Sequence, residues 1–409
     1  MDNLLLAASE DAGPVELIVI KDDKPVYRTS FEVEEGTVRR VRISSASKWL
    51  VAATLLTLVN DKQIALDDPI GKYLPQFKGS KAAITLRQLL SHTSGLPANS
   101  GFLKDKSLSL AQSVDSIAKK TLMDADPGTQ FLFGNVSYQV AARLAEIVSG
   151  KDWETLFNEK IAQPCRMLNT DFGNQRSKNI GEGAYSTAAD YSNFLVMILN
   201  KGIFQGKQAL PKTLVDEMLK DQTAFLPEEK TPYRNVPAKK PVPYGLGVSI
   251  DRYMPYDSSA TEVSSQGTKG FTPIVNFCKR TAIVYSFYTD LSDVQPVITE
   301  TKAIIDYAFR DNCKDISSKQ EKTEEEKTAA NPVLRKPAVS FRIDADSKVV
   351  LKLFDSLGNE VATLVNDVLG TGDYSIPVDD TRLSPGVYFY NLKINDHVET
   401  KKLTIKKPE

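Results

Sequence analysis

Residues 38–60 read VRRVRISSASKWLVAATLLTLVN, and this stretch decides how the first part of the chain folds. Residues 38–43 have a strand-like pattern, and the run that begins at Lys48 carries apolar residues at helical spacing. The pattern therefore predicts a strand that gives way to an apolar helix over residues 48–60. Ser45 and Lys48 stand at this junction, one helical turn apart.

The Ser45-x-x-Lys48 spacing suits nucleophilic chemistry. Three residues along a helix place the lysine on the same face as the serine, within reach of its hydroxyl. The helix dipole and partial burial would lower the pKa of the lysine, so that a neutral amine accepts the serine proton. The serine N–H could then donate to a developing oxyanion. Alternatively, Ser44 or Ser45 merely caps the helix, and the bare pattern does not separate the two.

Composition limits the functional classes. The 409 residues allow two domains, and 41% hydrophobic with 25% charged residues is ordinary for globular proteins. A net charge of -1 gives no electrostatic reason to expect nucleic acid or an anionic membrane as the main partner. No apolar run approaches the roughly 20 residues that span a bilayer. Residues 4–8 are too short for a signal-peptide core, so we expect no signal peptide in this chain.

Cysteine and histidine are scarce. Cys165, Cys278 and Cys313 are widely spaced, and their odd number excludes a full disulfide framework. We expect Cys165 and Cys278 to be small buried hydrophobic residues. Metal-ligand spacing is missing, so neither a metal nor another cofactor is expected.

The chain divides by pattern into a mixed region, a linker and an all-β region. A predicted hairpin over residues 15–27 precedes the helix described above. Further predictions are helices over residues 83–91, 109–122, 136–148, 153–162, 188–200, 212–219 and 294–309, with late strands over residues 245–250 and 281–288. Strands at both ends with helices between them predict an α/β (α+β) domain, whose sheet combines distant segments and which carries a helical insertion.

Residues 312–333 are rich in Glu and Lys and nearly devoid of apolar side chains, which predicts a solvated linker or, alternatively, an isolated charged helix. Beyond it, short strands over residues 349–354, 360–365, 374–378, 387–394 and 399–405 alternate with turns and predict a small all-β sandwich. The predicted domains are thus 1–311 and 334–409, joined by the linker 312–333.

The sequence around Ser45, RISSASK over residues 42–48, resembles the nucleophile region of class C β-lactamases, D-Ala-D-Ala carboxypeptidases and family VIII esterases. Further phrases follow in that family's order: LDDPI at 66–70, KYLP at 72–75, ITLRQLLSHTSGLP at 84–97, PGT at 127–129, STAAD at 186–190 and YGLG at 244–247. The resemblance covers about residues 15–310. It implies an antiparallel sheet flanked by helices with a helical subdomain, Ser45 as nucleophile, Lys48 as its activating partner and a structural role for His92.

The second motif of that family, Tyr-x-Asn, is altered to Phe133-Gly134-Asn135. Asn135 is retained, and its side-chain amide can form a hydrogen bond with Lys48 or with a substrate amide. Phe133 has no titratable proton, so it can line the substrate site but cannot protonate a leaving group. Tyr138 lies nearby and matches a structural tyrosine of the family pattern; the alternative is that its hydroxyl substitutes for the missing one.

The third motif, Lys/His-x-Gly, is also altered. Residues 263–271 read VSSQGTKGF, and the motif falls on residues 264–266 or 265–267 in the two possible alignments. Neither alignment places a cation first, so the charge that would hold a substrate carboxylate is lost. Gln266, Gly267 and Thr268 remain candidates for substrate binding, with a backbone N–H of Gly267 or Thr268 completing the oxyanion hole. We expect Lys269 to be a solvated surface residue.

Residues 331–407 resemble the sorting domain of the type IX secretion system, through LKLFDSLGNEV at 351–361, LSPGVYFY at 383–390 and the basic TKKL at 400–403. This implies an immunoglobulin-like sandwich, the secretion machinery as a partner, and a secreted or cell-surface location. The alternative is an accessory module without a sorting role.

Together these features predict a secreted serine hydrolase that forms an acyl-enzyme on Ser45. The altered motifs favour carboxylic esters over amides, because an alkoxide leaves with less protonation than an amine. The alternatives are a catalytically silent penicillin-binding-like fold that binds a ligand, or a D-Ala-D-Ala peptidase, β-lactamase, amidase or acyltransferase on the same serine.

Overall fold

A computed structural model describes residues 1–34, 36–173, 178–224, 226, 243–253, 260–309, 338–355, 360–378, 386–395 and 397–405. The chain divides into two compact units, the first holding the described residues up to 309 and the second those from 338 onward. The predicted linker, residues 312–333, lies outside the described residues.

A six-stranded antiparallel sheet forms the centre of the first unit, in the order β2-β1-β10-β9-β8-β7. The strands of this unit are β1 Val15–Lys21, β2 Lys24–Phe31, β3 Val41–Arg42, β4 Tyr185–Ser186, β5 Ile203–Phe204, β6 Lys207–Gln208, β7 Ser249–Tyr253, β8 Ala260–Ser264, β9 Phe271–Asn276 and β10 Thr281–Ser286. The predicted assembly of the sheet from both ends of the domain is confirmed. The predicted strand over residues 245–250 begins later, at Ser249, and β8 and β9 were not among the predicted elements.

Helices cover both faces of the sheet. The helices among the described residues of this unit are α1 Asp2–Ala12, α2 Ser47–Asn60, α3 Leu86–Leu90, α4 Leu110–Lys120, α5 Val136–Ser149, α6 Trp153–Phe157, α7 Ala188–Leu199, α8 Lys212–Met218 and α9 Leu291–Ala308. Ile18 and Ile20 point into the core that α2, α5 and α7 share, whereas Leu17 and Val19 face α1 and α9. A strand buried on both faces needs a continuous apolar run, which is why β1 lacks alternation.

Several helices begin or end at other residues than the sequence pattern predicted. Residues 83–91 are not one helix, because a 3₁₀ turn at Gly79–Ala83 precedes α3, which begins behind a Thr85–Gln88 capping box. Residues 153–162 form α6 followed by a π-helical turn, Asn158–Ala162. The apolar residues 4–8 belong to α1, whose Leu5 is buried in the α9 cluster.

The second unit contains only strands among its described residues: β11 Ala338–Ile343, β12 Ser347–Phe354, β13 Glu360–Leu369, β14 Gly372–Pro377, β15 Gly386–Ile394 and β16 His397–Ile405. β11 pairs with β14, and the other four form a sheet in the order β13-β12-β15-β16. Val339 of the first sheet and Leu351 of the second share one buried core. The predicted all-β region is confirmed, with β11 as an additional strand.

The prediction for one cysteine is wrong. Cys165 is buried and free, as expected of a small core residue. Cys278 is half-buried and disulfide-bonded, because it lies at the turn between β9 and β10, where a side chain can reach a bonding partner. Cys313 lies outside the described residues. The odd number of cysteines excluded a complete disulfide framework, but it did not exclude one disulfide bond.

No helix within the described ranges is long and apolar enough to cross a bilayer.

Candidate active site

Ser45 lies on a short 3₁₀ turn, Ser44–Ala46, between β3 and α2. The turn is fixed from distant parts of the chain: the N–H of Ile43 donates to Ala184 O at 2.9 Å, and the Tyr191 hydroxyl donates to Ala46 O at 2.8 Å. Ala46 is the N-cap of α2, and no side-chain hydrogen bond caps the start of the 3₁₀ turn or of α2. The capping alternative for Ser44 and Ser45 is therefore wrong, and the Ser45 hydroxyl is available to another partner.

Lys48 is that partner. Its Nζ lies 3.0 Å from Ser45 Oγ, 2.8 Å from Asn135 Oδ1 and 2.9 Å from Gly181 O. Burial lowers the pKa of Lys48 to about 7, and the negative charge of Glu182 opposes that effect. A neutral amine has two N–H donors and one lone pair. Asn135 and Gly181 can accept the two N–H bonds, which leaves the lone pair directed at the Ser45 hydroxyl.

Asn135 connects Lys48 to a carboxylate. Its Nδ2 donates to Glu182 Oε2 at 3.0 Å, and Asn179 Nδ2 and Arg42 Nη2 donate to Glu182 Oε1 at 3.0 and 3.2 Å. The backbone at Gly181 approaches Asn135 so closely that a Cβ at this position would lie 2.6 Å from Asn135 Oδ1. Only glycine permits this approach, which brings Gly181 O to the amine.

An aromatic cluster closes the other side of Lys48. The ring centroid of Phe133 lies 4.8 Å from Lys48 Nζ and 4.4 Å from that of His92. Tyr138 donates its hydroxyl to Leu90 O at 2.7 Å, and burial raises its pKa above the usual range. Tyr138 is thus held as a structural residue, and its hydroxyl does not replace the one that Phe133 lacks.

His92 is buried beside this cluster and hydrogen-bonded, as the sequence indicated. Its Nδ1 accepts the N–H of Gly134 at 3.3 Å, so the ring proton of the neutral form sits on Nε2. Within the described ranges, Nε2 has no hydrogen-bond partner. Burial and the nearby Lys48 hold the pKa of His92 well below its ordinary value, so the ring is uncharged at neutral pH.

The segment after β8 lies against the nucleophile turn. Ser265 Oγ donates to Ser45 O at 3.3 Å, and a Cβ on Gly267 would lie 2.3 Å from Ile43 O. The N–H groups of Ser265 and Gly267 donate to Pro273 O and Phe271 O, so the N–H of Gly267 is already engaged. Because N–H groups alternate along an extended strand, that of Gln266 points away from β9. Of the two N–H groups predicted for the oxyanion hole, that of Thr268 therefore remains a candidate, and that of Gln266 joins it.

Lys269 behaves as predicted. Its Nζ donates to Asp290 Oδ1 at 2.5 Å on the exposed surface, and this pairing raises its pKa. The structure thus gives it no role in holding a substrate carboxylate.

A cavity of about 310 Å³ adjoins Glu182. Its wall includes Arg42, Leu103, Lys104, Lys106, Phe172, Lys178, Asn179 and Tyr185. A larger cavity, about 650 Å³, lies between the β1–β2 hairpin and α7 and contains none of the candidate site residues.

Residues 7–307 match the β-lactamase family. The chain belongs to this family. Residues 331–406 match the secretion system C-terminal sorting domain, in agreement with the resemblance of that region. This is a serine hydrolase family with esterase and peptidase relatives.

Named relatives agree with this placement. The chain is 26% identical over 230 residues to the D-alanyl-D-alanine-carboxypeptidase/endopeptidase AmpH of Escherichia coli, covering 47% of this chain and 59% of the relative. It is 33% identical over 130 residues to the teichoic acid D-alanine hydrolase of Staphylococcus aureus, covering 32% of each. A solved structure from Bacteroides dorei, named as a β-lactamase, has a TM-score of 0.62 at 29% identity and covers 70% of this chain and 89% of that one. The chain spans less than two thirds of either named hydrolase.

The structure brings Ser45, Lys48, Asn135 and Phe133 together, with Gln266, Gly267 and Thr268 on the segment beside the nucleophile turn. Gly181, Glu182 and Arg42 also belong to the site but were not among the predicted site residues. The only local signal was a glycine-bounded GEG at 181–183, which does not reveal that it folds against Asn135.

Proposed function

We propose that this chain is a serine hydrolase that forms an acyl-enzyme on Ser45 and acts on carboxylic esters. The observation that carries the proposal is the geometry of Lys48: a wholly buried amine, 3.0 Å from Ser45 Oγ, with its pKa lowered to about 7 and two further acceptors in place. General bases work best when their pKa lies near the working pH.

In the proposed reaction, Ser45 Oγ attacks the ester carbonyl carbon while neutral Lys48 takes the hydroxyl proton. The N–H groups of Ser45 and Gln266 are the proposed donors to the oxyanion. The bond from carbon to the alcohol oxygen breaks, and Lys48 returns the proton to that oxygen. Water then attacks the acyl-enzyme, gives a proton to Lys48, and releases the carboxylic acid as Ser45 regains its proton.

The preference for esters follows from Phe133. An amine leaving group must be protonated as it departs, and the ring of Phe133 occupies the place where the family pattern has a tyrosine. The hydroxyl of Tyr138 is bonded to Leu90 O instead. An alcohol leaves with far less help, so Lys48 alone can supply the proton. We therefore expect this chain to prefer a different substrate from that of the relative named as a D-alanyl-D-alanine carboxypeptidase.

The test is a substrate panel on the full chain, with Ser45→Ala as the control. We expect a p-nitrophenyl ester to be hydrolysed and a fluorophosphonate probe to label the wild type but not the variant. Nitrocefin and D-Ala-D-Ala peptides should turn over far more slowly than the ester. If neither probe reacts above the Ser45→Ala background, the silent, ligand-binding fold becomes the correct interpretation.

We further propose that the protein acts outside the cell, exported through the region that resembles a sorting domain. The disulfide at Cys278 supports this, because such bonds persist in oxidising compartments. Fractionation of the source cells would test it: recovery of the protein in the cytoplasm alone would contradict export.

A further inference from the structure

We infer that Glu182 and Arg42 are positioning residues for the Ser45 reaction: Glu182 fixes the side-chain amide of Asn135 so that its oxygen faces Lys48, and Arg42 holds Glu182. This inference rests on the proposed function, because it assigns these residues to the same lysine. Neither residue touches Ser45 in the described contacts, so they act through Asn135.

The orientation of Asn135 follows from what its two ends meet. An ionised carboxylate can only accept hydrogen bonds, so the NH₂ group of Asn135 must face Glu182. The carbonyl oxygen is thereby directed at Lys48 Nζ, 2.8 Å away. A flipped amide would present N–H donors to the amine and would compete with Ser45 for its lone pair. Glu182 therefore keeps that lone pair for the nucleophile.

Arg42 and Asn179 determine how Glu182 is held. Both donate to Oε1, which leaves Oε2 for Asn135. Arg42 makes a second contact from Nε to the backbone oxygen of Glu182 at 3.2 Å. Arg42 lies two residues before the nucleophile turn, so one side chain ties the Ser45 segment to the Glu182 segment.

Glu182 and Arg42 also determine the electrostatic environment of Lys48. The carboxylate of Glu182 favours the protonated amine and so opposes the effect of burial. The guanidinium of Arg42 compensates part of that negative charge. His92 and Tyr138 also face Lys48, and both are uncharged at neutral pH. Among the described residues, the cavity that adjoins Glu182 is also lined by the cations Lys104, Lys106 and Lys178, and Lys178 is paired with Glu154.

The experiment measures kcat/KM for a p-nitrophenyl ester against pH in the full chain. In Glu182→Gln, the amide oxygen of the new glutamine accepts the hydrogen bonds from Arg42 and Asn179. The NH₂ group of the glutamine then faces the NH₂ group of Asn135, which favours a flip of the Asn135 amide. We expect the plateau of kcat/KM to fall about tenfold, as small misplacements do, and the midpoint of the acidic limb to move down by about one pH unit. Arg42→Gln should move the midpoint upward, because it exposes Lys48 to uncompensated negative charge.

Glu154→Gln is the matched control. Glu154 pairs with Lys178 at 2.9 Å and accepts the N–H of Phe172, but it does not contact Asn135. The control removes one carboxylate from the same region and should leave the midpoint within about 0.2 pH units of the wild type. Fluorophosphonate labelling of every variant confirms that the folded site is present.

The outcomes separate the two proposals. A wild type that the probe does not label would overturn the proposed function itself. A labelled wild type with opposite midpoint shifts in Glu182→Gln and Arg42→Gln supports the positioning role, since general loosening of the site cannot move the midpoint in two directions. A labelled wild type whose midpoint stays unchanged in both variants would overturn the inference, even if the plateau fell.

Discussion

Replacing Gly181 by alanine should disable the site without unfolding the protein. An added Cβ would lie 2.6 Å from Asn135 Oδ1 and 3.1 Å from Asn135 Cα. Ordinary carbon–oxygen contacts begin near 3.4 Å, so Asn135 or the Gly181 backbone must move by about 0.8 Å. Gly181 does not have a positive φ, so alanine adds no backbone strain of its own.

The displacement falls on two of the three hydrogen bonds of Lys48. The bonds to Asn135 Oδ1 and Gly181 O measure 2.8 and 2.9 Å, and lengthening either by about 0.8 Å takes it beyond hydrogen-bonding range. Misplacement of about 1 Å in a catalytic constellation costs up to about 100-fold in rate. We therefore expect kcat/KM to fall between about 10-fold and 100-fold, or roughly 1.4 to 2.7 kcal/mol of transition-state stabilisation.

The assay measures kcat/KM for ester hydrolysis at a pH on the plateau of the profile, and the Tm of the same variant by thermal unfolding. Gly101→Ala is the matched control, because a Cβ there meets nothing within 4 Å. The control should keep wild-type kcat/KM and Tm. If Gly181→Ala is folded and hydrolyses the ester as fast as Gly101→Ala, then the contacts of Lys48 with Asn135 and Gly181 do not support the reaction.

Three further predictions concern single groups. Since the pKa of Lys48 is lowered to about 7 and the base must be neutral, kcat/KM should rise about tenfold per pH unit below that value and level off above it; a flat profile from pH 5 to 8 would contradict this. Phe133→Tyr should raise the ratio of D-Ala-D-Ala peptide turnover to ester turnover by at least about tenfold, because it restores a hydroxyl for leaving-group protonation, and an unchanged ratio would refute that account. Lys269→Ala should change kcat/KM by less than about twofold, because Lys269 pairs with Asp290 on the surface, and a large loss would assign it to substrate binding.

Local features of the sequence predicted the parts of the site that depend on chain geometry alone. Ser45 and Lys48 are three residues apart, and helical geometry brings such residues to one face whatever surrounds them. Strand–helix order along the chain likewise predicted a sheet built from both ends of the domain. The strand predicted over residues 38–43 is shorter in the structure: β3 covers only Val41–Arg42, because it pairs only with the two residues of β4.

Contacts that form only when the chain folds, within a hairpin or between distant segments, could not be predicted in this way. Cys278 is disulfide-bonded, and the N–H of Gly267, which looked free for an oxyanion, donates to Phe271 O across the turn that leads into β9. Nothing near Glu182 in sequence indicates that it bonds Asn135, 47 residues away. Such contacts depend on how segments pack, which one-dimensional patterns do not record.

The sequence by itself determined that a lysine stands one turn from a serine at the start of an apolar helix, because short-range geometry needs only the chain. Tertiary structure decided that the lysine can act as a base. Its pKa falls because packing removes it from water, and two acceptors from distant segments, Asn135 and Gly181, leave its lone pair for the Ser45 hydroxyl. Desolvation is a property of the folded surroundings, so the spacing predicted the pair and the fold determined its charge.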